Sequence, residues 1–174
     1  MELSVWGRYR LSDTLSWKPP DYTDAGNAKI LVDEYNGLLA FCDALGWLSW
    51  TGTHWEQNDH KAVEKAIELT EHMIMESGVE LDIALHSEAD AKIALAQDKE
   101  GVKEQLARAK ETVKQAKAYF AHASKSRNVS HINGMLKLSQ PPLHIAADKL
   151  DADPFLLNTP GGMVNLQTGE IRPH

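Results

Sequence analysis

The chain has 174 residues, a hydrophobic fraction of 43% and a formal net charge of −7 at pH 7, which suit a single globular domain. The acidic balance argues against a surface that is basic throughout and coats nucleic acid. The only cysteine, Cys42, excludes an internal disulfide, and no apolar run reaches the roughly 18 residues of a membrane span. These features predict a cytoplasmic protein in which Cys42 is a buried thiol.

The first third of the chain predicts an arm, a helix and a β-hairpin. Residues 1–23 have no regular pattern and contain Pro19-Pro20, so we interpret them as an arm or linker. Asp24 is a typical N-cap for the helix that follows, which Asn36-Gly37 ends. Residues 38–42 form a short apolar run, which predicts a strand. WLSWTGTHWE at 47–56 predicts a β-hairpin, because a Thr-Gly turn separates two strand-like stretches.

The centre of the chain, from residue 59 to about 126, has helical periodicity. Asp59 is the predicted N-cap of a first helix, which Ser77-Gly78 ends. A second helix covers about 80–97, and a third begins near Lys99. Apolar residues of the third helix follow the alternating four- and three-residue spacing of a heptad seam, at Val102, Leu106, Ala109, Val113, Ala116, Phe120 and Ala123. We expect the second and third helices to form an antiparallel hairpin that buries this seam.

The remaining residues predict a fourth helix and a second β-hairpin. The helix covers 127–138 and ends before Pro141-Pro142. The hairpin covers 155–166, with a turn at TPGG (159–162), and a further turn follows at 167–170. The predicted fold is therefore α+β and mainly helical, with a long antiparallel helical hairpin in the centre and short β-hairpins at about 47–56 and 155–166.

Three blocks of sequence resemble a known family in their order along the chain. They are TDAGNA (23–28), then LAFC (39–42) with GWLSWTGTHW (46–55), then the stretch from ASKS (123–126) through INGML (132–136) to DADP (151–154) and LNTPGGMVNLQTGEIRPH (157–174). Together they resemble the N-terminal, pre-helicase domain of phage and plasmid primase-helicases, the poxvirus-type helicase-primase family. The residues that carry the resemblance are Asp24, Gly26, Asn27, Trp47, Trp50, Gly52, Trp55, Asp153, Asn158, Gly162 and Gly169.

This resemblance implies an accessory domain at residues 24–174, with a helical insertion at about 78–101. In such proteins a helicase module follows, forms a hexameric ring and hydrolyses ATP with Mg²⁺, so we expect such a module after residue 174. The chain itself has no G-x-x-x-x-G-K-[ST] motif, and no cofactor is expected in it. The implied partners are single-stranded or forked DNA and further copies of the full-length protein, with no membrane, in a bacterial cell and encoded by a phage or mobile element.

The charge distribution marks one candidate nucleic-acid strip. Residues 99–137 contain nine basic and three acidic residues, a net charge of +6. The strip is either a solvated helix face or a surface that binds phosphates. Lys125, Arg127 and Lys137 flank the family-like helix and are the candidate phosphate contacts. The three tryptophans of the first hairpin either stack on bases or pack in the core, and a small sheet that needs covering favours the core.

No residue is predicted to be catalytic or to bind a metal. Asp151 and Asp153 resemble paired metal-binding carboxylates, but the following Pro154 and the missing third acid favour a turn. The eight histidines include no H-x-x-x-H pair, and their spacing does not decide whether His122 and His131 approach each other. The predicted function is a non-catalytic accessory domain of a DNA primase-helicase. The alternative is a protein-interaction or oligomerisation module that uses the 102–123 seam and contacts no nucleic acid.

Overall fold

The computed structural model describes residues 16–97 and 101–174, and the mainly helical α+β fold is confirmed. The N-terminal part of the predicted arm (residues 1–15) and the predicted helix start at Lys99 lie outside these ranges. In chain order the elements are α1 (Asp24–Tyr35), β1 (Leu39–Cys42), β2 (Gly46–Trp50), β3 (Trp55–Gln57), α2 (Asp59–Ala96), α3 (Val102–Ser126), α4 (Val129–Ser139), a 3₁₀ turn (Ala147–Lys149), β4 (Leu156–Thr159), β5 (Gly162–Asn165) and β6 (Ile171–Arg172).

Two helices begin one residue earlier than the sequence predicted, because the residue before each aspartate provides the cap. Thr23 Oγ1 accepts a hydrogen bond from Gly26 N at 3.1 Å, and Asn58 Oδ1 accepts one from Lys61 N at 3.0 Å. The predicted caps Asp24 and Asp59 are therefore wrong. Thr, Asn and Asp are all good caps, so sequence alone does not choose between adjacent candidates.

Helix α2 is continuous over 38 residues, so the predicted break at Ser77-Gly78 is wrong. Ser77 is fully buried, and its hydroxyl donates to the Ile74 carbonyl oxygen at 3.1 Å. The helix instead ends at Ala96, with Gln97 as its C-cap, and the left-handed glycine of this region, Gly101 with φ +77, directly precedes α3. The expected antiparallel helical hairpin is confirmed, and its two helices are α2 and α3.

The seam of α3 is buried against α2 at most of its predicted positions. Val102, Ala109, Val113, Ala116 and Ala123 are all buried. The prediction for Phe120 is wrong, since that side chain is 38% exposed while the neighbouring Tyr119 is fully buried. Tyr119 belongs to the main core at this end of the hairpin, and its hydroxyl donates to Glu76 Oε2 of α2 at 2.9 Å.

The molecule has a main core and a thinner core along the hairpin. The main core joins α1, α4, the first half of α2 and the end of α3 through large side chains, including Leu31, Leu69, Met73, Tyr119 and Met135. Farther along the hairpin, the buried cluster consists of Ala84, Val113 and Ala116, with Leu81 packed beside it. None of the helices within the described ranges is long and apolar enough to cross a membrane.

The first sheet, in the order β1-β2-β3, is antiparallel and covered on both faces. Trp47 packs into the main core, while the adjacent Leu48 packs with Ala40 and Cys42 on the other face. Cys42 is a buried free thiol, as predicted. The segment after α4 extends this sheet, because Phe41 N donates to Leu143 O at 2.9 Å and Ile145 N donates to Phe41 O at 2.8 Å.

The second sheet, in the order β4-β5-β6, confirms the predicted hairpin at 155–166. Gly162 has φ +131, and a Cβ there would lie 2.6 Å from the Arg172 carbonyl oxygen, so the turn requires glycine. Asn158 Nδ2 donates to Thr53 O at 2.7 Å, which ties this sheet to the β2–β3 turn. Leu157 and Ile171 are exposed on its outer face, so the second sheet is peripheral to the core.

Candidate nucleic-acid interface

Three helices meet at one end of the main core, where α1 begins, α3 ends and α4 begins. We call this region the helical corner and define it by residues 21–27, 122–127 and 131–134. The sequence block at 23–28 is far along the chain from the blocks at 123–126 and 132–136, and all three contribute to it. The corner is therefore where family-like segments come together, and it holds two of the three candidate phosphate contacts.

A buried amide joins α1 to α3 at the helical corner. Asn27 is fully buried, and its Nδ2 donates to Ser126 Oγ at 2.9 Å. Its Oδ1 lies 2.8 Å from His122 Nε2, so this ring nitrogen carries the proton that Oδ1 accepts. Burial lowers the pKa of His122, which keeps the imidazole neutral at pH 7. Every polar atom of the Asn27 side chain thus has a partner that fixes the angle between the two helices.

A second polar contact joins α1 to α4. Asp24 Oδ1 lies 2.8 Å from His131 Nδ1. On α4, a Cβ at Gly134 would lie 2.5 Å from Asp24 Oδ2. On α1, a Cβ at Gly26 would overlap the Asp21 carbonyl oxygen. The absence of a side chain at these two positions leaves room for the Asp24 carboxylate beside Gly134 and for the Asp21 backbone beside Gly26. His122 and His131 therefore border the same helix start, which their spacing in the sequence did not decide.

The candidate phosphate contacts are divided between the two ends of α4. Lys125 and Arg127 lie together at the end of α3, and both are exposed. Lys137 is also exposed, but it lies in the last turn of α4, ~15 Å from Arg127 along the helix. None of the three forms an ion pair with a residue in the described ranges. Lys125 and Arg127 thus lie within two residues of each other at the end of α3, whereas Lys137 lies apart from them.

These two cations have chemistry suited to phosphate. The Arg127 guanidinium presents a planar fork of N–H donors, and the Lys125 ammonium is a compact charge. Both also lie at the C-terminal end of α3, where positive charge offsets the partial negative charge of the helix dipole. The polar contacts of Asn27 and Asp24 hold the backbone beneath them. The helix end that carries the two cations is therefore held in place by polar contacts.

The tryptophans lie away from the helical corner. Trp47 is buried in the main core, as favoured by the sequence, and Trp50 and Trp55 form a half-buried edge-to-face pair at 5.4 Å between ring centroids. Their sheet joins the end of α4 near Leu143, which is the end opposite Arg127. A base that stacked on this pair would therefore not contact Lys125 and Arg127 through the same nucleotide.

The remaining motif residues form turns. Asp153 Oδ1 accepts a hydrogen bond from Phe155 N at 2.9 Å, and Asp151 has φ +52, so the two carboxylates belong to a turn as predicted. Gly52 and Gly169 have φ values of +101 and +72, which glycine adopts without strain. Within residues 16–97 and 101–174, no group of three or more His, Cys, Asp or Glu is placed to hold a metal ion.

Comparison with protein families gives one match that covers most of the chain. The family model described as D5 N terminal like matches residues 28–174. The chain belongs to the D5 N terminal like family. This family is the N-terminal domain of primase-helicases, which agrees with the resemblance found in the sequence. Comparison with curated proteins and with solved structures found no match.

The family match includes both sheets and all three candidate phosphate contacts of this D5 N-terminal-like domain. It begins at Ala28, directly after the motif residues Asp24, Gly26 and Asn27. The hydrogen bonds of Asn27 and Asp24 nevertheless connect these preceding residues to α3 and α4, inside the matched region. The helical corner is thus built from both the matched and the preceding residues.

Proposed function

We propose that this D5 N-terminal-like domain is a non-catalytic accessory domain of a phage or plasmid DNA primase-helicase that acts in DNA replication. It positions the helicase ring and contacts single-stranded DNA weakly through Lys125 and Arg127. The family match over residues 28–174 carries this proposal. ATP, Mg²⁺ and the unwinding reaction belong to a helicase module of the parent protein, since the present sequence contains no phosphate-binding loop.

The helical corner supports the DNA contact. Lys125 and Arg127 are both exposed at the end of α3, and the bonds of Asn27 to His122 and Ser126 hold the helix end that carries them. Two cations neutralise few phosphates, so binding by a single domain is weak and depends strongly on salt. Several copies on one strand, as in a hexameric ring, would add their contacts and bind more tightly.

The alternative, an interaction module that uses the 102–123 seam, has less support. The seam residues Ala109, Val113 and Ala116 are already buried in the hairpin. A partner that bound this seam would have to displace α2. The function of the seam is therefore to hold the hairpin together, and the proposed DNA contact needs no such displacement.

The test is fluorescence anisotropy with labelled single-stranded DNA at low and moderate salt. The double variant Lys125→Glu/Arg127→Glu should weaken binding to a similar degree for all sequences, because phosphates carry no sequence information. It should also flatten the dependence of log affinity on log salt by about one to two units, from two lost phosphate contacts. Trp50→Ala should change binding less, because that side chain is packed against Trp55.

The matched control is Lys29→Glu/Lys149→Glu, which makes the same change in net charge at exposed positions outside the corner. It should leave the salt dependence close to that of the wild type. If the wild-type chain binds no single-stranded DNA even at low salt, the DNA contact is refuted and the domain acts in assembly alone.

A further inference from the structure

The basic residues of α3 are concentrated on one face of the helix. Lys103, Lys110, Lys114, Lys117 and Lys125 follow one another at steps of seven, four, three and eight residues, and all five are exposed. Residues at these spacings lie on the same side of an α-helix. We call this set the lysine row. The helix also carries Arg108, which lies off the row and pairs with Glu104 at 2.6 Å.

Most of the lysine row is not neutralised by acidic side chains. Lys114 lies 3.8 Å from Glu111 in a loose contact, and the other four form no ion pair with a residue in the described ranges. Lys110 and Lys117 lie near Glu88 of α2, whose pKa is lowered by its hydrogen bond from Lys92 and, to a smaller degree, by these two lysines. Lys92 already holds Glu88 at 2.8 Å, so the ammonium groups of the row are available to another anion.

The length of the row distinguishes between nucleic-acid forms. From Lys103 to Lys125 the helix rises ~33 Å, which is close to one full turn of duplex DNA, ~34 Å. Over that distance each strand of a duplex winds completely round the axis, so a straight helix beside it meets one strand for only part of the turn. A single strand is free to lie along the whole row. The row also includes Lys125, which belongs to the helical corner, so one strand is able to contact both the row and the corner.

We propose that the lysine row binds the phosphodiester backbone of single-stranded DNA and extends the contact from the helical corner along the helical hairpin. This inference rests on the proposed DNA contact and adds a path for the strand. The row recognises phosphates by charge, so it has no sequence preference. The role of the outer part of the hairpin, formed by α2 beyond Gly78 and by α3, is then to support a charged edge beyond the main core.

The experiment compares two triple variants of the full chain by anisotropy with oligothymidylates. Lys103→Gln/Lys110→Gln/Lys117→Gln removes three charges from the row without introducing repulsion towards Glu88. Its control, Lys29→Gln/Lys149→Gln/Arg172→Gln, removes three charges from exposed positions elsewhere. The row variant should bind about tenfold more weakly and lose about two units of salt slope, at ~0.7 per phosphate contact, while the control stays within about twofold of the wild type.

Oligonucleotide length gives a second measurement. Wild-type affinity should increase between about 6 and about 12 nucleotides as the strand reaches along the row, and the row variant should lose this increase. Thermal unfolding of each variant checks that the helical hairpin is intact. If the row variant and its control bind equally well while Lys125→Glu/Arg127→Glu weakens binding, the lysine row is refuted and the contact at the corner stands. Loss of affinity by the row variant that is equal for duplex and single strand overturns the assignment to single-stranded DNA.

Discussion

The two halves of the helical hairpin are built from the same pair of helices but have different interiors. Near the helical corner, α2 and α3 bury Leu69, Met73 and Tyr119 together with side chains of α1 and α4. Beyond Leu81 the buried cluster contains Ala84, Val113 and Ala116 and no side chain from another element. The first half is part of a globular core, whereas the second half is a two-helix arm with a narrow seam.

This difference indicates a division of roles. Large buried side chains supply most of the hydrophobic stabilisation, because it increases with the apolar area removed from water. Alanines let two helices approach closely but bury little area. The first half therefore stabilises the fold, while the second half extends a surface that includes Lys103, Lys110 and Lys117. Three pairs of variants test this comparison, in decreasing order of expected effect.

A leucine-to-alanine substitution should lower the free energy of unfolding by different amounts in the two halves. Leu69→Ala, at a fully buried position of the main core, should lower the free energy of unfolding by about 2–5 kcal/mol. Leu106→Ala, at a half-buried position of the arm, should cost less than about 2 kcal/mol, since less of its side chain leaves water on folding. Denaturant titrations measure both values, and equal losses would mean that the arm is packed as tightly as the core.

Two glycines that both lie in helices should respond in opposite directions to alanine. Gly26→Ala should destabilise the domain by about 1–3 kcal/mol, because the new Cβ overlaps the Asp21 carbonyl oxygen at the corner. Gly78→Ala should stabilise it by about 0.5–1 kcal/mol, because the nearest atom, Phe120 Cε2, is 4.0 Å away and alanine favours helix. Thermal midpoints of the two variants measure the difference, and a shift of the same sign in both would contradict it.

The smallest expected effect is a pH dependence of the free energy of unfolding. Its sign should be opposite for His122, near the helical corner, and His86, in the arm. Burial lowers the pKa of His122. As pH falls, the unfolded chain therefore binds a proton at this histidine before the folded chain does. The stability that His122 contributes is thus lost as pH falls below roughly 6.5. Asp24, Asp21, His131 and Lys125 also face this ring. In the arm, the hydrogen bond that His86 Nδ1 donates to the Asp82 carbonyl oxygen raises the pKa of His86, so its contribution to stability is present at low pH and is lost as pH rises.

Single His→Gln variants separate these contributions from those of the carboxylates. The stability of His122→Gln should fall less than that of the wild type between about pH 7.5 and about pH 5.5. His86→Gln should show a smaller change in the opposite direction, because that side chain is exposed. Parallel curves for the wild type and His122→Gln would show that the buried imidazole does not titrate differently in the folded state.

The sequence predicted the elements whose signals are local. Turn residues at 159–162 and the alternation in 47–56 predicted both hairpins, and the heptad spacing from Val102 to Ala123 predicted the face of α3 that α2 covers. The length of α2 was mispredicted because glycine was treated as a helix end without regard to the packing around it. At Gly78 the buried Ser77 and the neighbouring α3 outweigh the helix-breaking tendency of glycine.

The helical corner was largely beyond prediction from one sequence. Asn27 and Ser126 are separated by 99 positions, and Asp24 and His131 by 107. Such pairs leave no periodic pattern along the chain, and only the family-like blocks indicated that these segments matter. The burial of Tyr119, where Phe120 was predicted to be buried, also depends on a distant residue, because the Tyr119 hydroxyl donates to Glu76 Oε2 at 2.9 Å.

Because α2 is one continuous helix, its number of residues sets how far the helical hairpin extends from the main core. Its 38 residues span ~57 Å, so the distance from the first sheet to the far end of the helix is set by the number of residues between them. Removing seven residues from each helix of the arm would shorten it by ~10.5 Å and keep the seam in register, because two turns restore nearly the same face. The reach of the domain along a bound strand can therefore change in steps of about one heptad while the main core and the helical corner stay the same.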